Sequence, residues 1–173
     1  GTIMDAGKSG LKVGDLVVCN EFDPCLKCEL CFKGMSQICP DIWKESPGLA
    51  PGFNGGYAQY CKVKPHRVYK LPEGVGPDEG ALVEPLAIAY HATKQKGKVT
   101  KNTKFVLVSG GGAIGVFSAL NAKTLGAKYV ALTEVDAARL EQAKTYSFVD
   151  EVFNANDPDF REKIMAATNS RGY

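Results

Sequence analysis

Four cysteines within fifteen residues, Cys25, Cys28, Cys31 and Cys39, constrain this chain more than any other feature. Their spacing is C-x2-C-x2-C-x7-C, with Gly34 placed where the chain must turn back on itself. Joining so tight a set as disulfides would demand Cα separations and facing Cβ vectors that a fifteen-residue run can hardly meet without strain. Four thiolates at about 2.3 Å instead satisfy tetrahedral zinc, and a shell closed by four sulfurs leaves no position for substrate. The expected metal site is therefore structural. An iron–sulfur cluster is the sharper rival, because Cys39-Pro40 ends the run as ferredoxin motifs do. Those motifs place the fourth cysteine after three residues, whereas here seven intervene. Cys19 and Cys61 stand apart and are expected to be buried thiols without a ligand.

At 173 residues the chain suffices for one ordinary domain or parts of two. Its 45% hydrophobic and 23% charged residues argue against disorder and coiled coil. A formal charge of +2 gives no electrostatic case for nucleic acid, and no apolar run approaches a membrane span. The expected protein is soluble, with neither nucleic acid nor membrane as partner. It begins at Gly1 without a charged-then-apolar leader.

The texture changes near residue 80. Before it, short extended runs at 16–18, 57–63 and 67–71, broken by Gly and Pro, predict an all-β lobe. Glu84-Pro85 then opens a predicted helix over 86–94, with Pro at an acceptable first position. From Lys104 the pattern is β-α-β-α. Phe105-Val106-Leu107-Val108 is apolar in the manner of a strand buried on both faces of a parallel sheet. A helix follows to about Leu125, then a strand over 129–133 and a helix capped by Asp136. A weak third strand over 151–153 precedes a helix that Asp157 caps, with Pro158 at its first position, through about Ala167. The fold class is α/β, ending in the first half of a doubly wound parallel sheet. Such a sheet needs further strands beyond its first, so the chain reads as an internal segment of a longer protein.

The turn between the first strand and helix of that half reads Gly110-Gly111-Gly112-Ala113-Ile114-Gly115. G-x-G-x-x-G means little alone, but after a strand and before a helix it is a dinucleotide fingerprint. Gly110 permits the tight turn, Gly112 lets the backbone approach a pyrophosphate, and Gly115 lets the helix pack closely. Amides near Ala113 and Ile114 would face the phosphates. Glu134, nineteen residues after Gly115, stands where an acid accepts hydrogen bonds from ribose hydroxyls. With Val135 beside it and no adjacent cation, it favours NAD over NADP. Glu84 by itself reads first as a solvated acid favoured by a helix dipole, and only second as an active-site group. His66, Glu79 and His91 do not rise above background.

Together these residues resemble the zinc-dependent medium-chain alcohol dehydrogenase family. The resemblance runs through Lys12-Val13-Gly14-Asp15-Leu16-Val17, the four-cysteine lobe, and Asn54-Gly55-Gly56-Tyr57-Ala58. It continues through Val68-Tyr69-Lys70-Leu71-Pro72, Gly80-Ala81-Leu82-Val83-Glu84-Pro85-Leu86 and the glycine triplet. Glu84-Pro85 is similar to the polyol, butanediol and threonine dehydrogenase branch. The resemblance implies that residues 1–83 form part of a GroES-like catalytic domain with a structural zinc lobe. Residues 84–173 would form a linking helix and the first half of an NAD-binding Rossmann domain.

The family's catalytic zinc acts as a Lewis acid on the substrate oxygen while hydride passes to the nicotinamide. Glu84 would occupy the third metal position, as ligand or as a neighbour reaching zinc through water. The family's other ligands, a Cys and a His followed by Glu, lie upstream of the stretch matching Gly1, so this chain alone is expected to hold no catalytic zinc. Phe148-Val149-Asp150, where the family often has Gly-Ala-Asp, is expected to loosen a turn, and Ala113 replaces a frequent Pro.

The implied protein is an NAD-dependent zinc dehydrogenase of a secondary alcohol or polyol, cytoplasmic, and a homo-dimer or homo-tetramer. The alternatives are a non-catalytic nucleotide-binding relative, an NADPH-dependent reductase of the same family, or a zinc-finger module, which is disfavoured because nothing around the cysteines is strongly basic.

Overall fold

The computed structural model describes residues 1–172; Tyr173, the last residue of the expected nucleotide-binding half, lies outside them. Two units separate, Gly1–Val83 and a second beginning at Glu84.

In the first unit β1 (Val17–Cys19) pairs antiparallel with β2 (Val68–Lys70), Val18 facing Tyr69. A single bridge joins Thr2 to Leu16. The predicted strand at 57–63 does not form. A strand exists only where its backbone groups find a ladder, and the described chain offers this run none, leaving Tyr57 and Tyr60 exposed. Where an all-β lobe was expected, the cysteine segment instead winds into α1 (Glu29–Phe32) and a 3-10 turn at Ser36–Ile38. Cys19 and Cys61 are exposed rather than buried. A helix absent from the sequence reading, α2 (Pro77–Ala81), starts behind Gly76, whose N–H donates to Glu79 Oε2 at 3.1 Å.

α3 (Val83–Tyr90) begins two residues before Pro85 rather than at it; proline lacks only a donor that the first turn would leave unpaired anyway. The helix widens into a π-helical segment at His91–Lys96, where Gly97 N–H reaches back to Ala92 O at 2.8 Å.

The second unit's sheet is parallel, ordered β3 (Phe105–Ser109), β4 (Tyr129–Glu134), β5 (Glu151–Asn154). Phe105 pairs with Tyr129, and Ala131 with Glu151. Helices α4 (Ala113–Thr124) and α5 (Ala137–Lys144) connect the strands. Val130 and Leu132 of β4 are fully buried with Ala119 and Ala122 of α4 and Ala143 of α5. As the sequence indicates, Asp136 caps α5, accepting from Arg139 N–H at 2.9 Å. The last helix, α6 (Phe160–Ala167), starts later than Asp157-Pro158 suggested: Asp159 is its N-cap, and Asp157 O closes the preceding turn by accepting from Phe160 N–H at 3.0 Å. The expected loose turn at Phe148 is packed instead. Phe148 stacks on Tyr146 with centroids 5.1 Å apart, and both lie against the core.

Candidate functional site

The four clustered sulfurs lie within 4.8 Å of one another. Cys28 Sγ is 3.5 Å from Cys31 Sγ and 3.9 Å from Cys39 Sγ. Sulfurs sharing a tetrahedral zinc at about 2.3 Å stand about 3.8 Å apart, and a disulfide requires about 2 Å. The donor set therefore fits zinc and excludes bridges, all six cysteines being free. Leu26 takes a left-handed conformation, φ 56°, which curls the chain so that the amides of Lys27 and Cys28 face Cys25. Hydrogen bonding from Lys27 N–H, then from Cys28 and the neighbouring thiols, holds Cys25 down to about 7 against the cost of desolvation. Desolvation first, then sharing with Cys28 and Cys39, pushes Cys31 up to about 12. Four thiolates cannot coexist there without a cation, and a divalent metal supplies the compensating charge.

The lobe is fastened at its base by buried polar groups. Asp23 N–H donates to Ser46 Oγ at 3.0 Å, and Ser46 donates to Ile42 O at 2.5 Å. Burial pushes the Asp23 carboxyl up, but Lys64 Nζ at 2.5 Å, together with the Arg67 charge and His66, outweighs it and brings the pKa below the ordinary range.

At the C-terminal end of β3, Gly110 turns at φ 96°, which only glycine adopts freely. A Cβ on Gly115 would fall 1.9 Å from Gly110 O, so the start of α4 lies directly against that turn. A Cβ on Gly112 would meet nothing within 4 Å, leaving an open cradle beside the helix start. Val116 N–H is the first to find its helical acceptor, Gly112 O at 2.9 Å; the amides of Ala113, Ile114 and Gly115 have none among the described residues. Three donors at a helix N-terminus beside open space fit an anionic pyrophosphate.

Glu134 ends β4, 7% exposed. Its Oε1 accepts from Val135 N–H at 2.6 Å and Asp136 N–H at 3.1 Å, and its Oε2 from Gly111 N–H at 2.8 Å. These backbone donors, Val135 first, hold its pKa down to about 2. A carboxylate has roughly four acceptor sites, so one remains on Oε2 for a ribose hydroxyl.

Sequence reasoning missed two neighbours. Gly111 supplies the N–H that ties the turn to Glu134, and the uninterrupted triplet was its only signal. Arg139 Nη1 stands 3.8 Å from Glu134 Oε2, so a cation is present where the adjacent residues offered none. One turn of α5 delivers it, which a reading confined to adjacent residues does not see. Glu84 is exposed in the first turn of α3, its carboxylate without hydrogen bond or ion pair among the described residues.

Residues 1–73 match the alcohol dehydrogenase GroES-like domain. A sorbitol dehydrogenase of Bombyx mori is 38% identical over 145 residues, 83% of this chain and 40% of that protein. A probable D-xylulose reductase A of Aspergillus fumigatus is 36% identical over 149 residues, 85% of this chain and 40% of its own length. Among solved structures, an Escherichia coli oxidoreductase/dehydrogenase of unknown specificity involved in membrane biogenesis superposes with TM-score 0.87 at 30% identity. That match covers 99% of this chain and 49% of the other. The chain thus spans less than half the length of these relatives.

Proposed function

Since the chain belongs to the zinc-dependent medium-chain alcohol dehydrogenase family, we propose that the whole protein transfers hydride between a secondary alcohol or polyol and NAD. Relatives named sorbitol dehydrogenase and D-xylulose reductase support the polyol class. The observation that carries the reading is the Glu134–Gly111 contact beside the open amides of Ala113, Ile114 and Gly115.

In this reading the dinucleotide, when bound, supplies the hydride acceptor. Gly112 admits the backbone to its pyrophosphate, the α4 amides neutralise it, and Glu134 takes a ribose hydroxyl. Cys25, Cys28, Cys31 and Cys39 hold a structural zinc that fastens the lobe. Glu84, at the start of α3, belongs to the active-site shell, as ligand or water-linked neighbour of a second, catalytic zinc. Residues 1–83 serve the catalytic domain and 84–173 the nucleotide-binding one. Free thiols suit a reducing compartment, which supports cytoplasm, and the assembly is a homo-dimer or homo-tetramer.

Arg139 favours the rival NADPH reading, because a guanidinium there suits a 2′-phosphate. Its charge already faces Glu134, which would repel that phosphate. Titrating the purified protein with NAD and NADP separates the two: NAD is expected to bind at least about tenfold more tightly, the worth of one charge-assisted contact. Tighter NADP binding would overturn the assignment.

A further inference from the structure

Positions 85–133 contain no acidic residue, yet they hold seven lysines. Five of these, Lys96, Lys98, Lys101, Lys104 and Lys128, are exposed, and none forms an ion pair among the described residues.

The fold of the second unit gathers four of them, Lys98, Lys101, Lys104 and Lys128, at one pole. Lys104 and Lys128 immediately precede β3 and β4; Tyr129 N–H donates to Lys104 O at 3.0 Å and Lys128 N–H to Thr103 O at 3.1 Å. Gly126 presses on Lys101, where an added Cβ would meet Lys101 Cα at 3.0 Å. Lys98 stands in the turn leading into buried Val99. Of the acids that reach this end, Asp150 is paired with Lys123 at 2.6 and 2.7 Å, while Glu151 accepts the Tyr129 hydroxyl and keeps its negative charge, so the lysines outnumber the one unpaired acid. The pole lies at the N-terminal ends of the strands. The glycine turn lies at the other end, about 16 Å away along a five-residue strand.

We propose that this lysine pole docks the protein reversibly on an anionic phospholipid surface, through charge alone. What the patch lacks selects the partner. It has no arginine, whose planar fork suits bidentate phosphate or base recognition, while lysine is a hydrated point charge that acts without fixed geometry. No exposed aromatic residue stands between the lysines to stack a base, which disfavours single-stranded nucleic acid. The intervening exposed residues, Gln95, Thr100 and Asn102, provide no apolar centre of the kind a protein interface is built around. They provide no wedge for insertion either, and among the described residues no helix is long and apolar enough to cross a membrane. Clustered lysines near a charged bilayer add their attractions individually, within about a Debye length.

Flotation of the full-length protein with phosphatidylglycerol–phosphatidylcholine vesicles tests this. Binding is expected to the anionic vesicles and not to phosphatidylcholine alone, and to vanish between about 0.05 M and about 0.5 M salt. K98Q/K101Q/K104Q is expected to weaken it by about a hundredfold, on the order of the summed attraction of three lysines, and by at least about tenfold. K8Q/K12Q/K33Q, which removes the same charge from the first unit, should leave it intact. Single variants K101Q and K104Q, each losing part of the binding, serve if the triple variant folds poorly. Absence of binding at low salt, equal weakening by both triple variants, or tighter pole-dependent binding to RNA than to vesicles would each overturn the proposal.

Discussion

Glu134 Oε2 accepts the Gly111 N–H at 2.8 Å, joining the end of β4 to the turn after β3 across 23 residues of sequence. One carboxylate thereby fixes the glycine turn from the side while its other oxygen caps its own chain at Val135 and Asp136. Glu134→Gln keeps the shape but has a single acceptor oxygen for three N–H donors. We expect the thermal midpoint to fall and NAD affinity to drop about 10- to 100-fold, the range for a lost hydrogen bond to a charged group. Calorimetric titration reads the second effect directly, and unchanged affinity would remove Glu134 from the site.

The same residue predicts an acid response. Its folded pKa of about 2 lies below its ordinary value of 4.5, so the folded state releases this proton more readily than the unfolded one. Its contribution is therefore present above about pH 4.5 and is lost as pH falls from there toward 2. Glu134→Gln should flatten this window of the stability profile, measured by denaturant unfolding at several pH values. A variant that keeps the wild-type slope would place the acid response on other carboxylates.

Two glycines three residues apart, Gly112 and Gly115, separate folding from binding. Gly115→Ala must displace Gly110 O or the start of α4, because the added carbon would sit 1.9 Å from that oxygen. Overpacking of this kind costs about 1–3 kcal/mol or more. Gly112→Ala meets nothing within 4 Å, and its φ of −73° and ψ of 177° suit alanine, so stability should change by less than about 0.5 kcal/mol. Yet the methyl group enters the cradle meant for pyrophosphate. Gly115→Ala should lose both melting temperature and NAD binding, Gly112→Ala binding alone.

The contrast between the two units explains what the sequence made legible. In the second, each signal is local: an apolar run, three glycines, an Asp at a helix start. Local steric and capping rules decide such elements, and Asp136 caps α5 as its residue type demands. In the first, structure depends on partners distant in sequence. The run 57–63 alternates plausibly but finds no ladder, and α1 owes its place to the cysteines around it. Arg139 was hidden for a related reason, since only the turn of α5 brings it to Glu134.

Metal removal should be readable residue by residue. With zinc bound, Cys25, Cys28, Cys31 and Cys39 are shielded as ligands, whereas Cys19 and Cys61 are exposed. Alkylation followed by peptide mapping should label Cys19 and Cys61 at once and the other four only after chelation. Because binding energy is folding energy in such a lobe, chelation should also expose residues 20–50 to proteolysis. Immediate labelling of all six would exclude a metal-filled cluster.

Leu26 offers a gain in stability. Its φ of 56° is forced by the loop that aims the Lys27 and Cys28 amides at Cys25, and the side chain is 55% exposed, so little packing rewards the strain. The left-handed region costs a residue with a Cβ roughly 1–2 kcal/mol. Glycine removes that cost but loses about 0.5–1 kcal/mol through the greater freedom of the unfolded chain. Leu26→Gly should therefore stabilise the zinc-loaded protein by up to about 1.5 kcal/mol, seen as a higher unfolding midpoint at equal zinc content. The sign is the test. A loss of more than about 1 kcal/mol would mean that Leu26 contributes packing which outweighs the strain of its backbone.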